Sequence, residues 1–413
     1  MDNLALNLAQ FIKEKSGVSR LTLTDFRNYA HLRINAKLAP IIITGENGTG
    51  KTNILEAISF LTPGRGMRSA RLADIKRITP ALINDEYSPT EISNLNWAVS
   101  AQVCKGDEEI EIGTAVERTA REYDEDDIRS YERRIVKING QKITSQSELG
   151  KYISAIWLTP QMDRLFRGGS QPRRSFLDRL VYAFDLEHAR RTANFEHWYR
   201  EWCQLLKSGH NDNSWLKSLE ENMAATGVAI AAARREQIAK LNRFIETEPD
   251  DIFPNVLLEL DGTIERLLDK MPAVDAEDYY QNLLQKQRRN VLYNDGIDGV
   301  NRTDFKVYYR KKRMPAELCS TGEQKSLLVS IILAQSKCQT LHQGFAPVLL
   351  LDEAAAHLDD QKREALLEKI LDLRTQAWIT ATTPEPFLRL KDDALFMTVR
   401  NNQVFETNLS AGE

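Results

Sequence analysis

Gly45, Gly50, Lys51 and Thr52 stand at the spacing G-x-x-x-x-G-K-[ST], inside the stretch "IIITGENGTGKTNILEAISFL". The chemistry these types could do is phosphate binding. Glycines let successive backbone N–H groups curl around an anionic oxygen. Lys51 adds a positive charge for the β- and γ-phosphates, and the Thr52 hydroxyl suits Mg²⁺. A helix opening at Thr52 points its positive end at the same anion. By chance the pattern occurs in a chain this long on the order of one or two times in a hundred. The context decides for a true site: Ile41, Ile42 and Ile43 form a β-branched run before the turn, and Ile54, Leu55 and Ile58 a helical stripe after it.

Two further constellations lie far along the chain. "PVLLLDEAA" is an apolar strand ending in Asp352 and Glu353. Such a pair is often only a surface feature. Beside a phosphate turn, Asp352 can hold Mg²⁺ and Glu353 can polarise an attacking water. "CSTGEQKSLL" places Ser320 and Gly322 at the start of an apolar helix, an anion site without a lysine. Ser320 followed by Glu323 also reads as a plain capping box. The two readings are compatible.

The elements that must position these residues follow from periodicity. Residues 19–61 read strand, strand, turn, helix. "NWAVSAQV", "EEIEIGTAV" and "ERRIVKINGQKI" alternate as half-buried strands, and Asn139-Gly140 marks a hairpin. "REYDEDDIRSYERR" is expected as a charged loop and "AIWLTP" as a short strand. From about 175 to 290 the pattern is helical, with Leu216, Leu219, Met223, Ile230, Ile238, Leu241 and Ile245 on one stripe. "ETEPDDIFP" breaks it and "YYQNLLQKQRRNVLY" resumes it. "DFKVYY" returns to strand, followed by helix, strand, helix, strand. The nucleotide domain is therefore split around a helical insertion. The expected divisions are 1–182, the first half of the ATPase lobe; 183–300, a helical arm; and 301–413, the second half of the lobe.

Composition limits the rest. The 413 residues exceed one ordinary core. A formal net charge of −4 gives no bulk attraction to nucleic acid, so any such contact needs a local basic face. Three clusters qualify: Arg65, Arg68, Arg71, Lys76 and Arg77; Arg164, Arg167, Arg173 and Arg174; and Arg310, Lys311, Lys312 and Arg313. Each is also readable as a solvated face. The four scattered cysteines fit a reducing compartment, hence a cytoplasmic location. No apolar run is long enough to span a membrane, and the N-terminal stretch has no signal-peptide pattern. His188 and His197 make a poor metal pair, and His357 reads as structural. The six tryptophans are expected in cores or at lobe interfaces, and Lys325 toward solvent or a neighbouring acid.

Taken together, "GENGTGKT", "LTPQ", "STGEQ", "LLLDE" and "HLDD" resemble the ABC-type ATPase heads of the SMC-like superfamily. The likeness is strongest to the RecF family. "LTLTDFRNYAHLRI", with Phe26, Arg27 and Asn28, is similar to its opening, and "GRGMRSARLADI" and "LTPQMDRLFRGGSQPRRSFLDRLV" to later segments. The resemblance implies an α/β fold: an ABC-type P-loop ATPase head with an antiparallel β subdomain and an inserted α-helical second lobe. It implies ATP and Mg²⁺ as cofactors, ATP-dependent homodimerisation on DNA and slow hydrolysis. It also implies sequence-nonspecific binding to single- and double-stranded DNA, at gaps or junctions. RecR and RecO are the implied partners in directing RecA to gapped DNA.

Residue by residue, the resemblance places Gly45, Glu46, Asn47, Gly48, Thr49, Gly50, Lys51 and Thr52 on the phosphates, with Thr52 also on Mg²⁺. It makes Gln161 the loop glutamine that senses metal and γ-phosphate. Ser320 and Gly322 meet the partner copy's γ-phosphate, and Asp352 and Glu353 are the metal and water-activating acids. Asp359 reaches across the dimer interface. The chain departs from the family at Gly299-Val300-Asn301-Arg302, where many members carry a histidine third. Ala381 or Thr382 stands where transporter ATPases have a switch histidine, which fits slow turnover. The competing readings are a transporter-type ATPase subunit working with a membrane partner and an inactive scaffold that binds ATP structurally. The split domain and the missing switch histidine count against the first, and Glu353 counts against the second.

Overall fold

The computed structural model describes residues 15–77, 96–122, 128–209, 212–247, 252–292, 297–354 and 358–407. Two compact units emerge: Met1–Pro160 with Gln339–Glu413, and Gln161–Cys338. The expected junctions at 182/183 and 300/301 both fall inside the second unit.

The first unit holds two six-stranded sheets. One contains β3 (Ile41–Thr44), β8 (Ala155–Leu158), β12 (Val348–Asp352), β13 (Ala377–Thr380), β14 (Leu395–Arg400) and β15 (Gln403–Glu406), in the order β15-β14-β3-β13-β12-β8. Its pairings are parallel except that of β14 with β15. Parallel strands covered on both faces need continuous apolar sequence, and β3 and β13 are buried at every residue. The second sheet is antiparallel: β1 (Ser16–Phe26), β2 (Tyr29–Asn35), β4 (Ala98–Lys105), β5 (Glu108–Glu122), β6 (Ile128–Ile138) and β7 (Gln141–Lys142), ordered β2-β1-β4-β5-β6-β7. Asn139 and Gly140, at φ 50° and 78°, make the turn into β7, as a type I′ hairpin requires. The expected charged loop, 121–134, is corrected at both described ends: Arg121 and Glu122 belong to β5 and residues 128–134 to β6, while 123–127 lie outside the described residues.

Helix α1 (Lys51–Ser59) follows β3 and packs on β1, β12 and β13. Its last turn meets a buried aromatic cluster, in which Phe60 lies 6.1 Å from Phe26 and 5.4 Å from Trp97. The Gln376 amide pairs with the Val18 backbone through two 2.8 Å bonds and so ties the two sheets together. Helix α8 (Asp360–Asp372) buries Ala365, Leu366, Leu367 and Ile370.

The second unit is mainly helical. It contains α2 (Ser170–Tyr182), α3 (His188–Lys207), α4 (Asn213–Thr247), α5 (Thr263–Leu267), α6 (Ala273–Leu292) and most of α7 (Thr321–Gln343). The predicted stripe is one helix of 35 residues, α4, with all seven named apolar residues buried. It packs with α3 and α6 around Trp202, Met223, Tyr280 and Leu284. Asp178 of α2 receives Arg234 of α4 through two bonds of 2.8 and 2.9 Å, and His188 at 2.8 Å. Burial alone would raise the Asp178 carboxyl pKa, but Arg234 and His188 outweigh it and hold it well below the ordinary range. This pair explains why α2 belongs with the arm rather than with the preceding lobe.

Sequence reasoning missed a strand here. β9 (Val256–Asp261) pairs antiparallel with β10 (Asp304–Tyr309), which also carries β11 (Met314–Pro315). The signal was a short alternation, with Val256 and Leu258 buried, just after the break at "ETEPDDIFP" and before the helical pattern resumes. Two other expectations are corrected in part. Lys325 is buried and so does not face solvent. Trp215, near the start of α4, is 49% exposed, outside the arm's packed core. His188 is a buried partner of Asp178 rather than a metal ligand, and His357 lies outside the described residues. Among the described residues no helix is long and apolar enough to cross a membrane.

Candidate functional site

The turn between β3 and α1 carries three left-handed glycines: Gly45 at φ 145°, Gly48 at 84° and Gly50 at 103°. A Cβ on Gly50 would lie 2.3 Å from Asn28 Nδ2, and one on Gly45 would lie 2.6 Å from the Val399 carbonyl. Conformation and close approach both require glycine there. Glu46, Asn47 and Gly48 are exposed at the tip. Thr49 Oγ1 donates to the Glu46 carbonyl at 2.9 Å.

Lys51 is buried, and its Nζ donates to the carbonyls of Gly45 at 2.7 Å and Glu46 at 2.8 Å. Burial lowers its pKa, partly offset by the charges of Glu353 and Asp352. It is a desolvated cation held on neutral oxygens, with its three left-handed glycines around it. Among the described residues no carboxylate bonds Lys51 directly, and a bound phosphate would give it an anionic partner in place of the loop carbonyls, so the turn fits a nucleotide.

The acid pair reaches the turn through sheet order. Asp352 ends β12 and is in register with Thr380 of the neighbouring β13, which in turn is in register with Ile43 of β3. Thr52 Oγ1 and Thr380 Oγ1 both donate to Asp352 Oδ1 at 2.8 Å. Glu353 N donates to Thr380 Oγ1 at 2.9 Å, and Glu353 itself takes a left-handed φ of 49°. That is an unusual conformation for a non-glycine residue, of the kind found where a side chain must be aimed. Among the described residues no cluster of three or more His, Cys, Asp or Glu could hold a metal alone. Mg²⁺ does not need one, since it is commonly held by one or two protein oxygens plus phosphates and water. Thr52 and Asp352 are such a pair.

Several contributors were not assigned a role from sequence. Thr380 is one. Asn28 is another: it donates to the Thr49 carbonyl at 3.2 Å and to Asn402 at 2.7 Å, and accepts from Asn53 at 2.7 Å. Arg27 and Arg68 both bind the buried Glu56 of α1, at 2.6 and 3.0 Å. For Arg27 and Asn28 the only sequence signal was the "FRN" run itself, and Arg68 stood out only as a member of a basic cluster. In the same unit, Asp359 caps α8 by accepting from Lys362 N at 2.9 Å. That bond, and Lys362 itself, hold its carboxyl below the ordinary range.

Gln161, Ser320 and Gly322 belong to the second unit. Gln161 is exposed on a short 3₁₀ turn, Pro160–Arg164. At the start of α7, Ser320 N and Oγ donate to Glu323 Oε2 at 2.8 and 2.9 Å, and Glu323 N donates to Ser320 Oγ at 3.3 Å. This is a complete capping box. Lys312 pairs with Glu323, and that pairing with the Ser320 bonds holds the carboxyl down at about 2. Ser320, Thr321 and Gly322 are exposed, with open space where a Gly322 side chain would be. Cys319 is buried, and burial raises its thiol pKa, which is contrary to thiolate chemistry.

A parallel sheet with a phosphate turn at the end of β3, an acid pair at the end of β12 and an inserted helical unit defines a P-loop ATPase head of the ABC type. The family model described as the RecF/RecN/SMC N terminal domain matches residues 17–406. The "DNA replication and repair protein RecF" of Rhizobium rhizogenes (strain K84) is 42% identical over 389 residues, covering 94% of this chain and 98% of the relative. The protein of the same description from Rhizobium etli (strain CIAT 652) is 41% identical over 393 residues, covering 95% and 99%. A solved structure of the recombination mediator protein RecF with ATPγS, in the RecFOR pathway, superposes with a TM-score of 0.78 at 20% identity, covering 95% of this chain and 98% of that one. At that identity the likeness speaks for the fold. The chain belongs to the RecF family.

Proposed function

We propose that this protein is an ATP-dependent DNA-binding ATPase of recombinational repair and replication-fork maintenance. ATP at the phosphate turn joins two copies head to head on DNA, and slow hydrolysis lets them part. The observation that carries the nucleotide reading is the convergence of Thr52 and Thr380 on Asp352 beside a buried Lys51 that, among the described residues, bonds only to its own turn's carbonyls. The family relatives, described as DNA replication and repair proteins, support the DNA reading. The RecFOR pathway of the structural relative supports RecR and RecO as partners in directing RecA to gaps.

Bound ATP with Mg²⁺ supplies the triphosphate to be cleaved and the charge that steadies it. The protein's own residues have separate tasks. Lys51 and the turn's N–H groups neutralise phosphate charge, and Thr52 and Asp352 hold Mg²⁺. Glu353, aimed by its left-handed backbone, takes a proton from water. Gln161 senses the metal and γ-phosphate. Ser320 and Gly322, exposed at the positive end of α7, offer N–H and hydroxyl donors to the nucleotide of a second copy, and Asp359 reaches across. ATP thus favours the dimer because each copy holds half of the donors.

Sedimentation of the full chain with and without ATP and gapped duplex tests this. The expected result is a shift from monomer to dimer that needs ATP and is enhanced by DNA. A chain that remains monomeric in saturating nucleotide with DNA, at every concentration, overturns it.

A further inference from the structure

A pocket of about 450 Å³ lies in the first unit, between the segment after α1 and the β6–β7 hairpin. Arg134 lines it from β6 and is buried. Its guanidinium donates to Thr114 Oγ1 at 2.9 Å, to Gln146 Oε1 at 3.1 Å and to the Gly64 carbonyl at 2.6 Å, and also to the Phe60 carbonyl. All these acceptors are neutral. One of them, the Phe60 carbonyl, is at the C-cap of α1, where a cation is favoured by the helix dipole. Burial lowers the Arg134 pKa to about 9.

Around this buried cation stand Arg65, Arg71 and Arg133, all exposed and all lining the same pocket. No carboxylate pairs with any of the three among the described residues. The one acid of the lining, Glu132, is held by Lys76 at 2.8 Å. The pocket therefore carries a surplus of positive charge. Leu72 and Ile143 add apolar wall to it.

The other two basic clusters are differently placed. Arg173 is locked to Asp304 at 2.7 and 2.9 Å, and Arg174 to the Thr303 carbonyl at 3.0 Å. Arg310 pairs with Glu246 at 2.8 Å, and Lys312 pairs with Glu323. Their cations largely serve the second unit's own structure.

We propose that the pocket walled by Arg65, Arg71, Arg133 and Arg134 binds the phosphodiester backbone of nucleic acid. This rests on the DNA-binding reading above and assigns it a place. The contact reads charge and not sequence, because guanidinium groups on phosphates carry no base information. Leu72 and Ile143 suit the sugar of the same strand. Because Arg134 also holds the carbonyl of Phe60, the C-cap of α1, the strand would lie near the far end of the helix that begins at Lys51.

The test is anisotropy of a labelled gapped duplex on the full chain, with ATPγS, over a salt series. In the triple variant Arg65→Ala, Arg71→Ala, Arg133→Ala, affinity should fall at least about tenfold at low salt. The slope of log affinity against log salt should flatten by about two to three, roughly one per lost phosphate contact. ATPγS binding should be unchanged, and the corresponding triple lysine variant should keep the wild-type slope. Should the triple alanine variant fail to fold, the single variant Arg71→Ala is read by the same criterion, with a slope change of about one. Wild-type affinity and slope in the folded alanine variants overturn the site. A wild-type protein that ignores the duplex overturns the DNA-binding reading itself, and the site with it.

Discussion

The two regions that could meet the phosphates of a nucleotide are built on opposite principles. At the turn after β3 the charged groups are buried and held by neutral partners: Lys51 lies on its own loop's carbonyls, and Asp352 takes hydroxyls from two other elements. At the start of α7 the donors are exposed and satisfied only by their own capping box. The first arrangement is preorganised, so binding an anion gives Lys51 an anionic partner in place of the loop carbonyls. The second is self-contained. Ser320 must release Glu323 to bond an outside phosphate, and the Glu323 carboxylate would repel that phosphate were Lys312 not paired with it. The difference suits a nucleotide that binds one copy first and recruits a second only afterwards.

The comparison breaks most sharply at Glu353. Glu353→Gln should lower ATP turnover by about 10²–10⁴-fold, the range of a general base, and leave a long-lived ATP dimer in sedimentation. A variant that turns over normally removes Glu353 from the chemistry, and one that stays monomeric counts against the ATP sandwich. Lys51→Ala should weaken ATP binding by single copies by roughly 10- to 150-fold, the weight of a charged hydrogen bond, measured by equilibrium titration. Equal affinity would mean that the buried lysine is only structural.

The two regions separate most cleanly at Ser320. Ser320→Arg should leave ATP binding by single copies as it is and abolish ATP-driven pairing; a loss of binding by single copies would place Ser320 in its own copy's site. The smallest effect concerns acid. Glu323 has a depressed pKa, so its stabilisation is complete above the unfolded value near 4.3 and is lost as pH falls toward about 2. The difference in urea stability between wild type and Glu323→Gln should therefore shrink steadily below about pH 4.5. A difference that is constant with pH would show that the carboxylate's charge contributes nothing to the cap.

The features legible from sequence were those made by neighbours in the chain. The phosphate turn, the Asn139-Gly140 hairpin, the α4 stripe and the Ser320–Glu323 box all depend on spacings of eight residues or fewer. β9 escaped because its alternation is brief and its partner, β10, is more than forty positions away. The burial of Lys325 and the exposure of Trp215 escaped for a related reason: what covers a side chain is not written beside it.

By itself, then, the sequence determined that a phosphate could be cradled between Gly45 and Thr52 and that α7 would begin with a capped, anion-tolerant end. Backbone φ values and i, i+3 contacts set both, and both are local. Only the tertiary structure decided that Asp352 would share one oxygen between Thr52 and Thr380, and which arginines would keep their charge unpaired. Those outcomes follow from the strand order β3-β13-β12 and from which carboxylates the fold brings within reach of each guanidinium, and no short-range pattern encodes either.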